Sequence, residues 1–518
     1  MSQENIVTSN KRIAKNTIAL YIRMIVQMII GLYTSRVILN ALGVDDFGIY
    51  NVVGSVVGML NFISASMSNA TMRFITFEEG KGNISKLNVV FCTSMNIHIL
   101  IAILTFVFLN TAGIWFLYHK MTISPDRLNA AFWVLQLSII TCIVDIISVP
   151  YNACIIAHER MGAFALISML QQVVTLLLAL LLPFYGGDRL ILYAAILMFV
   201  QVVIRILYGQ YCKKNFEETE YHLKVWNKKI FKEMLKFSGW TLNGNLAWIG
   251  YTQGLNVLIN LFCGPAANAA RGIAFTVQQK ILDFSNNFQV AVNPQITKTY
   301  SVEEYGKMHE LIIMSSKFSF FLMLVLSLPI FIEIDEILKI WLKIVPAHTG
   351  NFVRIILLCS VIDIFRNPIN TSIHATGNIK TYQLWEGSTL LLIVPISYLA
   401  LKLGFQVESV FIVQLLIFTI VQIERVIIVC PRIYMSKKMY FKNLLLPCFK
   451  VLFVALITPM LLLYFWPVQA GNLFQLGCYL LVVFSSSAGT VYQIGLSVSE
   501  KNKIKVYVKS KFLNKNGE

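Results

Sequence analysis

Apolar runs of about 20 residues recur along nearly the whole chain, and that is the length a helix needs to cross a bilayer. Hydrocarbon supplies no hydrogen bonds, so such runs must satisfy their backbone internally, which a helix does. Roughly fourteen runs can be placed, from those centred on Ile25, Val57 and Leu100 to those centred on Phe418, Leu456 and Leu481. The chain is 57% hydrophobic and only 13% charged, against about 25% charged in a soluble domain. The sequence therefore predicts an all-α polytopic membrane protein. The net charge of +17 raises nucleic acid as a partner. Its location argues otherwise, because it sits mostly in short segments between the apolar runs. Asn16 to Leu39 is too long for a secretory core and no small-residue cleavage pattern follows it, so it reads as a first span that stays.

One stretch occurs twice. Asp145, Ile146, Pro150, Asn152, Ile155, Ala157 and Phe164 recur as Asp363, Ile364, Pro368, Asn370, Ile373, Ala375 and Tyr382, at a constant offset of 218 residues. Aspartate and proline are rare inside apolar segments, since one is costly in hydrocarbon and the other breaks the helical ladder. Chance likeness between apolar windows is the alternative; an internal duplication is the better reading, and many carriers are built from two such halves. The boundary follows. Residues 1–212 form an N-lobe of six helices, 213–237 a linker, 238–436 a C-lobe of six helices, and 437–518 two further helices and a basic tail. Six is even, so the halves share one orientation and the repeat is parallel.

The linker holds seven lysines between Lys213 and Lys236. Leu223, Trp226, Ile230, Met234 and Phe237 recur there at three- and four-residue steps, which predicts a basic amphipathic helix on an anionic membrane surface. Lys11, Arg12, Lys15, Arg73, Lys81, Lys86, Arg432, Lys437, Lys438, Lys442 and six lysines from Lys501 to Lys515 fall on the same side of the membrane. The opposite side holds only Lys120, Arg127, Arg189, Lys339, Lys343 and Lys402. This bias puts both termini in the cytoplasm.

Polar residues inside spans are expensive and form the functional shortlist. Arg23 lies about 12 Å into the first span, too deep for easy snorkelling. It either lines a cavity or closes a structural salt bridge, although its own helix offers no acid. The eighth helix carries Asn268, Arg271, Gln278, Gln279, Lys280, Asp283, Ser285, Asn286, Asn287, Gln289, Asn293 and Pro294. So many donors cannot face lipid, so part of this helix must meet water or a polar substrate. Arg271 and Gln278 share a face; Lys280 and Asp283 are three apart and either pair with each other or serve separately, Asp283 then being a candidate for ion coupling. Arg205, Lys317, Arg354, Arg425 and Lys450 lie near helix ends, where snorkelling accounts for them. Asp363 and Arg366 are spaced to pair.

Pro150 and Pro368 predict that the fourth and tenth helices end or bend there, with Asn152 and Asn370 bonding the freed backbone groups. These elements read either as paired hinges, with Asp145 and Asp363 orienting them or carrying a coupling ion, or as fold-stabilising turns inherited from the duplication. No nucleotide, metalloprotease or serine-hydrolase motif is present, and none of the nine cysteines forms a Cys-x-x-Cys pair. Neither a cofactor nor a metal site is indicated, and the chain reads as no enzyme.

The N-terminal third carries Asn10 to Thr17 (NKRIAKNT), Tyr33 to Val37 (YTSRV) and Leu42 to Tyr50 (LGVDDFGIY), followed by Ser68 to Thr71 and Arg73-Phe74. These resemble the polysaccharide-transporter, or O-antigen flippase, family of the multidrug/oligosaccharidyl-lipid/polysaccharide exporter superfamily. The resemblance implies two six-helix lobes in a V around a central cavity, plus two added helices. It implies export of O-antigen, capsule or exopolysaccharide units linked to undecaprenyl pyrophosphate, from the inner to the outer leaflet of a bacterial inner membrane. Membrane lipids and a polysaccharide polymerase are the implied partners. In the related lipid II flippases, cavity arginines lie on the first, second and eighth helices; Arg23 and Arg271 match by helix and depth, and Arg73 more loosely. A cation-coupled drug exporter is the first competing reading, but no acid lies on the first helix. A membrane-embedded polymerase or glycosyltransferase is the second, but no large external loop exists to hold its catalytic groups.

Overall fold

The computed structural model describes residues 3–58, 61–119, 121, 123–342, 345–466, 472–498 and 500–502. These are almost entirely helical, with no strand among the described residues. Helix α1 (Gln3–Gly58) is interrupted at Gly43 and followed by α2 (Asn61–Gly80). Helix α3 (Ile84–Phe108) passes through one wide turn, Leu109–Gly113, into α4 (Ile114–His119). Next come α5 (Leu128–Ala157), α6 (Met161–Ala179) and α7 (Arg189–Asn215).

The series then begins again. Helix α8 (Lys228–Ser301) is interrupted at Gly264 as α1 is at Gly43. In chain order, α9 (Tyr305–Ile332) and α10 (Ile334–Leu342) answer to α3 and α4. Helices α11 (Thr349–Asp363) and α12 (Arg366–Thr376) answer to α5, α13 (Lys380–Leu391) and α14 (Ile393–Lys402) to α6, and α15 (Ser409–Arg432) to α7. Helices α16 (Lys437–Tyr440), α17 (Leu446–Ala455), α18 (Ile457–Phe465) and α19 (Leu473–Thr490) supply the last two spans. Nine helical segments among the described residues are long and apolar enough to cross a membrane as they stand. With the interrupted helices divided at their breaks, about fourteen spans result.

Contacts divide the chain into two compact units, one of Arg12–Leu242 and one containing Asn243–Glu518. In the first, α5 is central and packs on α2, α3, α6 and α7. It buries Ala131, Val134, Leu135, Ile139 and Ile146. In the second, α15 packs on α11, α12, α13 and α14, and α9 on α11, α12, α17 and α19. Lipid is as apolar as leucine, so close packing and hydrogen bonds, rather than escape from water, hold these helices together. At Gly495 an added Cβ would lie 2.7 Å from the Phe321 ring, so the final span approaches α9 too closely for any side chain there.

Each unit is clasped at corresponding places. In the first, Arg127, preceding α5, bonds Asp46 at 2.9 and 2.5 Å and Asp188, preceding α7, at 2.7 Å. In the second, His348, preceding α11, sits 2.6 Å from Glu408, preceding α15. Burial pushes the Glu408 carboxyl up, but bonds from His348 and Asn351 outweigh it and hold the group below its usual value.

Two expectations are corrected. Of the end or bend expected at Pro150, the end is overturned: helix α5 continues two turns to Ala157, with the ring in a buried site where only one ladder bond is lost. In the second copy the ladder does break, but at Ile364–Phe365, and Pro368 falls in the first turn of α12, where its absent N–H costs nothing. The basic linker is not helical from Leu223 either. Its helix starts at Lys228, where Asn227 Oδ1 accepts from the amides of Lys229 and Ile230 at 3.0 and 3.1 Å.

Gly43 (φ 79°, ψ 174°) and Gly264 (φ 80°, ψ 179°) occupy a backbone region essentially closed to other residues, though an added Cβ would meet nothing within 4 Å at either. Alanine at either therefore tests the backbone alone. We expect Gly264→Ala to cost about 1–3 kcal/mol and lower the melting temperature of detergent-purified protein. Gly272→Ala, equally unobstructed but in regular helix, should leave it unchanged or raised.

Candidate functional site

The polar run of α8 divides into two faces. Four groups on the packed face bond neighbouring helices of their own unit. Gln278 Nε2 donates to Ser360 Oγ at 2.5 Å, Gln289 Nε2 to the Ile364 carbonyl at 3.1 Å, Asn293 Nδ2 to Asn367 Oδ1 at 3.2 Å, and Ser285 Oγ to the Ser319 carbonyl at 3.2 Å. Gln289 thereby satisfies the backbone at the break between α11 and α12. The sequence alone points to Asn370 for that task, but its Oδ1 is buried without a partner, as is that of Asn152.

The other face carries Gly272, Thr276, Gln279, Lys280 and Asn286, all exposed, with Asp283 half-buried between them. Lys280 lies about 24 Å from Gly264 and about 32 Å from Ser301 along the helix, far from either end. It forms no ion pair with Asp283, so the two groups do not neutralise each other. A bare ammonium with exposed amides at this depth cannot face hydrocarbon; this face meets water or a polar ligand.

Arg271 is placed differently. It is buried, and its guanidinium donates to Asn256 Oδ1 and, at 2.9 Å, to the Thr252 carbonyl, while lying 4.4 Å from the Phe275 ring centroid. Thr252 and Asn256 precede the Gly264 kink and Arg271 follows it, so the arginine ties the two arms of α8 together. Neither hydrogen-bond partner is charged, so the site keeps a full positive charge.

In the Arg12–Leu242 unit, Arg23 lies 4.9 Å from the Phe164 ring centroid, and Arg73 lies 4.6, 5.2 and 5.6 Å from the rings of Phe74, Phe77 and Phe237. Gln27 Nε2 reaches the Ser168 carbonyl at 3.5 Å. Asp145 is exposed on α5 and accepts from Gln201, whose amide oxygen accepts from Gln171 at 2.8 Å. This is a neutral amide relay ending on one carboxyl.

The duplicate of Asp145 has another environment. Asp363 Oδ1 accepts from Arg425 Nη1 at 2.9 Å, and Arg425 Nη2 also donates to Glu386 Oε1 at 2.7 Å. Arg366 closes the group, 3.4 Å from Glu386 and 3.8 Å from Asp363, with its guanidinium 4.6 Å from the Trp248 ring. Two cations and two anions meet here, so the Asp363 carboxylate is already paired, in contrast to that of Asp145. Snorkelling is thereby corrected for Arg425, which is 2% exposed. Its partner Glu386 is 39 residues away and invisible to helical spacing. Snorkelling is corrected also for Lys317, buried in α9 and 2.6 Å from Glu500, and for Arg354, which bonds Asp335 and the carbonyls of Phe331 and Ile332.

Two units built on the same interrupted-helix series, with cationic and amide groups presented at membrane depth, define a multi-pass membrane protein. Solved structures share the fold. A MATE transporter in its bent conformation matches with a TM-score of 0.72 at 14% identity, over 82% of this chain and 96% of that one. An outward-facing multidrug-resistance MATE transporter of the MOP superfamily matches with 0.71 at 14% identity over the same shares. A MOP-superfamily transporter from Pyrococcus furiosus, described as having a binding pocket of reversed polarity, matches with 0.69 at 14% identity, again over 82% and 96%. At such identities the likeness is one of fold. No curated protein matches. The model of the polysaccharide biosynthesis protein family matches residues 13–299, more than half of the chain, and the chain belongs to that family.

The balanced cluster can be tested directly. Arg425→Gln leaves Glu386 and Asp363 to share the single cation Arg366 and should cost about 3–5 kcal/mol, seen as loss of monodisperse protein after mild heating. Arg425→Gln with Glu386→Gln leaves the Asp363–Arg366 pair intact and should recover most of that loss.

Proposed function

We propose that this protein is a flippase for lipid-linked oligosaccharide, carrying undecaprenyl-pyrophosphate-bound repeat units of O-antigen, capsule or exopolysaccharide from the inner to the outer leaflet by alternating access. The observation that carries this reading is the exposed face of α8, where Lys280 stands unpaired among Thr276, Gln279 and Asn286. A pyrophosphate brings negative charge to membrane depth, and an unpaired ammonium is the complement it requires. Amides and hydroxyls suit the sugar hydroxyls, since they both donate and accept. Arg271, and Arg23 in the other unit, add positive charge at depth. The family to which the chain belongs supports a role in polysaccharide biosynthesis. Transport requires no catalytic group, and the reading is of a transporter rather than an enzyme. The lysine bias supports a bacterial inner-membrane location with both termini in the cytoplasm.

The competing reading, cation-coupled drug export, is favoured by the exposed Asp145. One pair of assays separates the two. The gene is expressed in a strain lacking its O-antigen flippase, and surface glycan and drug tolerance are both measured. We expect restored glycan and unchanged tolerance. Lys280→Ala should lower the glycan about 10- to 100-fold, the worth of one charge-assisted hydrogen bond, at unchanged protein level, because Lys280 holds no structural partner. Lys280→Arg should retain most of it. Normal glycan with Lys280→Ala would remove the lysine from the mechanism, and raised drug tolerance without glycan would favour the exporter.

A further inference from the structure

Residues 216–227, between α7 and α8, form an extended strap that the transport reading does not use. A short turn, Glu217–Thr219, opens it and the rest is irregular. Such a segment would ordinarily be loose, but α3 holds it by two asparagines two turns apart on one face. Asn88 Nδ2 donates to the carbonyls of Glu218 and Glu220, both at 2.9 Å. Asn96 Nδ2 donates to those of Leu223 and Val225 at 3.3 and 3.4 Å, and Asn96 Oδ1 accepts from the Tyr221 hydroxyl at 2.6 Å. At its start Phe216 stacks on His158 at 4.1 Å between ring centroids, and His158 bonds Glu218 at 2.5 Å.

The backbone is thus fixed while the side chains that usually seek burial point outward. Leu223 is 70% exposed and Trp226 46%. Around them Lys224, Lys228, Lys229, Lys232 and Lys236 are all exposed, and none forms an ion pair among the described residues. Glu217, Glu218 and Glu220 lie at the start of the strap, Glu218 buried against His158; from Leu223 to Lys236 Glu233 is the one acid among five lysines, so that stretch is positive.

Helix length places this surface. The α3–α4 element, Ile84–His119, has 36 residues and spans about 54 Å, against about 30 Å of hydrocarbon. Its ends must project, and Asn88 and Asn96 bind the strap within about 18 Å of the Ile84 end. The strap therefore lies in the headgroup zone. There a tryptophan, a leucine and free lysines find both of their preferred surroundings, acyl chain and anionic phosphate.

We propose that residues 223–236 are a docking surface for anionic phospholipid, with Trp226 and Leu223 inserted at the headgroup boundary and Lys224, Lys228 and Lys232 holding lipid phosphate. The strap is rigid before it meets lipid, so binding spends little ordering entropy.

The test uses the full-length protein in nanodiscs of phosphatidylcholine with or without phosphatidylglycerol. Quenching of Trp226 is read as the difference between the wild type and Trp226→Phe, with lipids brominated along the acyl chain. We expect strongest quenching from bromines nearest the headgroup. Retention of phosphatidylglycerol over phosphatidylcholine, measured by native mass spectrometry, should fall about fivefold for each of Lys224→Gln, Lys228→Gln and Lys232→Gln. Lys437→Gln, a basic change elsewhere, should leave it unchanged. Absence of Trp226 quenching overturns the proposal, and so does a preference that survives the triple substitution. Neither result bears on Lys280, so failure here is distinct from failure of the transport reading.

Discussion

Hydrocarbon provides no hydrogen bonds, and every polar group carried into it must find a partner within the protein or mark a place where hydrocarbon is absent. That constraint sorts the polar residues of this chain. Gln278, Gln289 and Asn293 are spent on neighbouring helices, and Arg425, Glu386, Asp363 and Arg366 neutralise one another. What remains on the exposed face of α8, Lys280 with its amides, has no such structural use. Function is inferred from the groups the fold does not consume.

The duplication shows what the fold itself requires. Both halves keep a glycine at φ near +80° inside their first long helix, and both clasp the start of the fourth helix to the start of the sixth, once by Arg127 with Asp188 and once by His348 with Glu408. The chemistry of the clasp changed while its position stayed. The aspartates show the converse. Asp145 and Asp363 hold equivalent positions, yet one ends a neutral amide relay and the other sits in a charge-balanced cluster. Shared position with divergent surroundings indicates that the two halves no longer do the same work at this level.

Sequence and structure agree where a single physical rule decides. Spans of about 20 apolar residues, the repeat at 218 and the even helix count follow from hydrophobic length and spacing alone, and the helices lie where those rules put them. The polar face of α8 is legible because its cost in lipid is large. Disagreement arises where tertiary partners decide. Pro150 and Pro368 are equivalent in sequence, but only the second copy breaks, and there four residues before the proline. The apolar spacing from Leu223 to Phe237 mimics a helix, but Asn88 and Asn96 claim carbonyls that a helix would need for itself. Helical spacing sends Arg425 to the interface because no acid it can see from its own helix is close to the buried side; a Glu386 buried in an otherwise apolar run is the available signal, since a buried carboxylate implies a cation somewhere.

Arg271 and Lys280 divide between them the positive charge of α8. Arg271, bonded across the Gly264 kink to Thr252 and Asn256, cannot move without releasing the arms of its own helix. Its charge acts as a fixed background felt through a low-dielectric medium. Lys280 has a flexible four-carbon stem and no partner, so it can follow a phosphate over several ångströms. A carrier must hold an anionic headgroup firmly enough to draw it from one leaflet and loosely enough to give it up at the other. A fixed charge alone would trap the headgroup, and a mobile one alone would not offset its desolvation. In the flippase we propose, a rigid arginine and a mobile lysine would divide these demands along one helix, and the kink at Gly264 is what brings that arginine's partners within its reach.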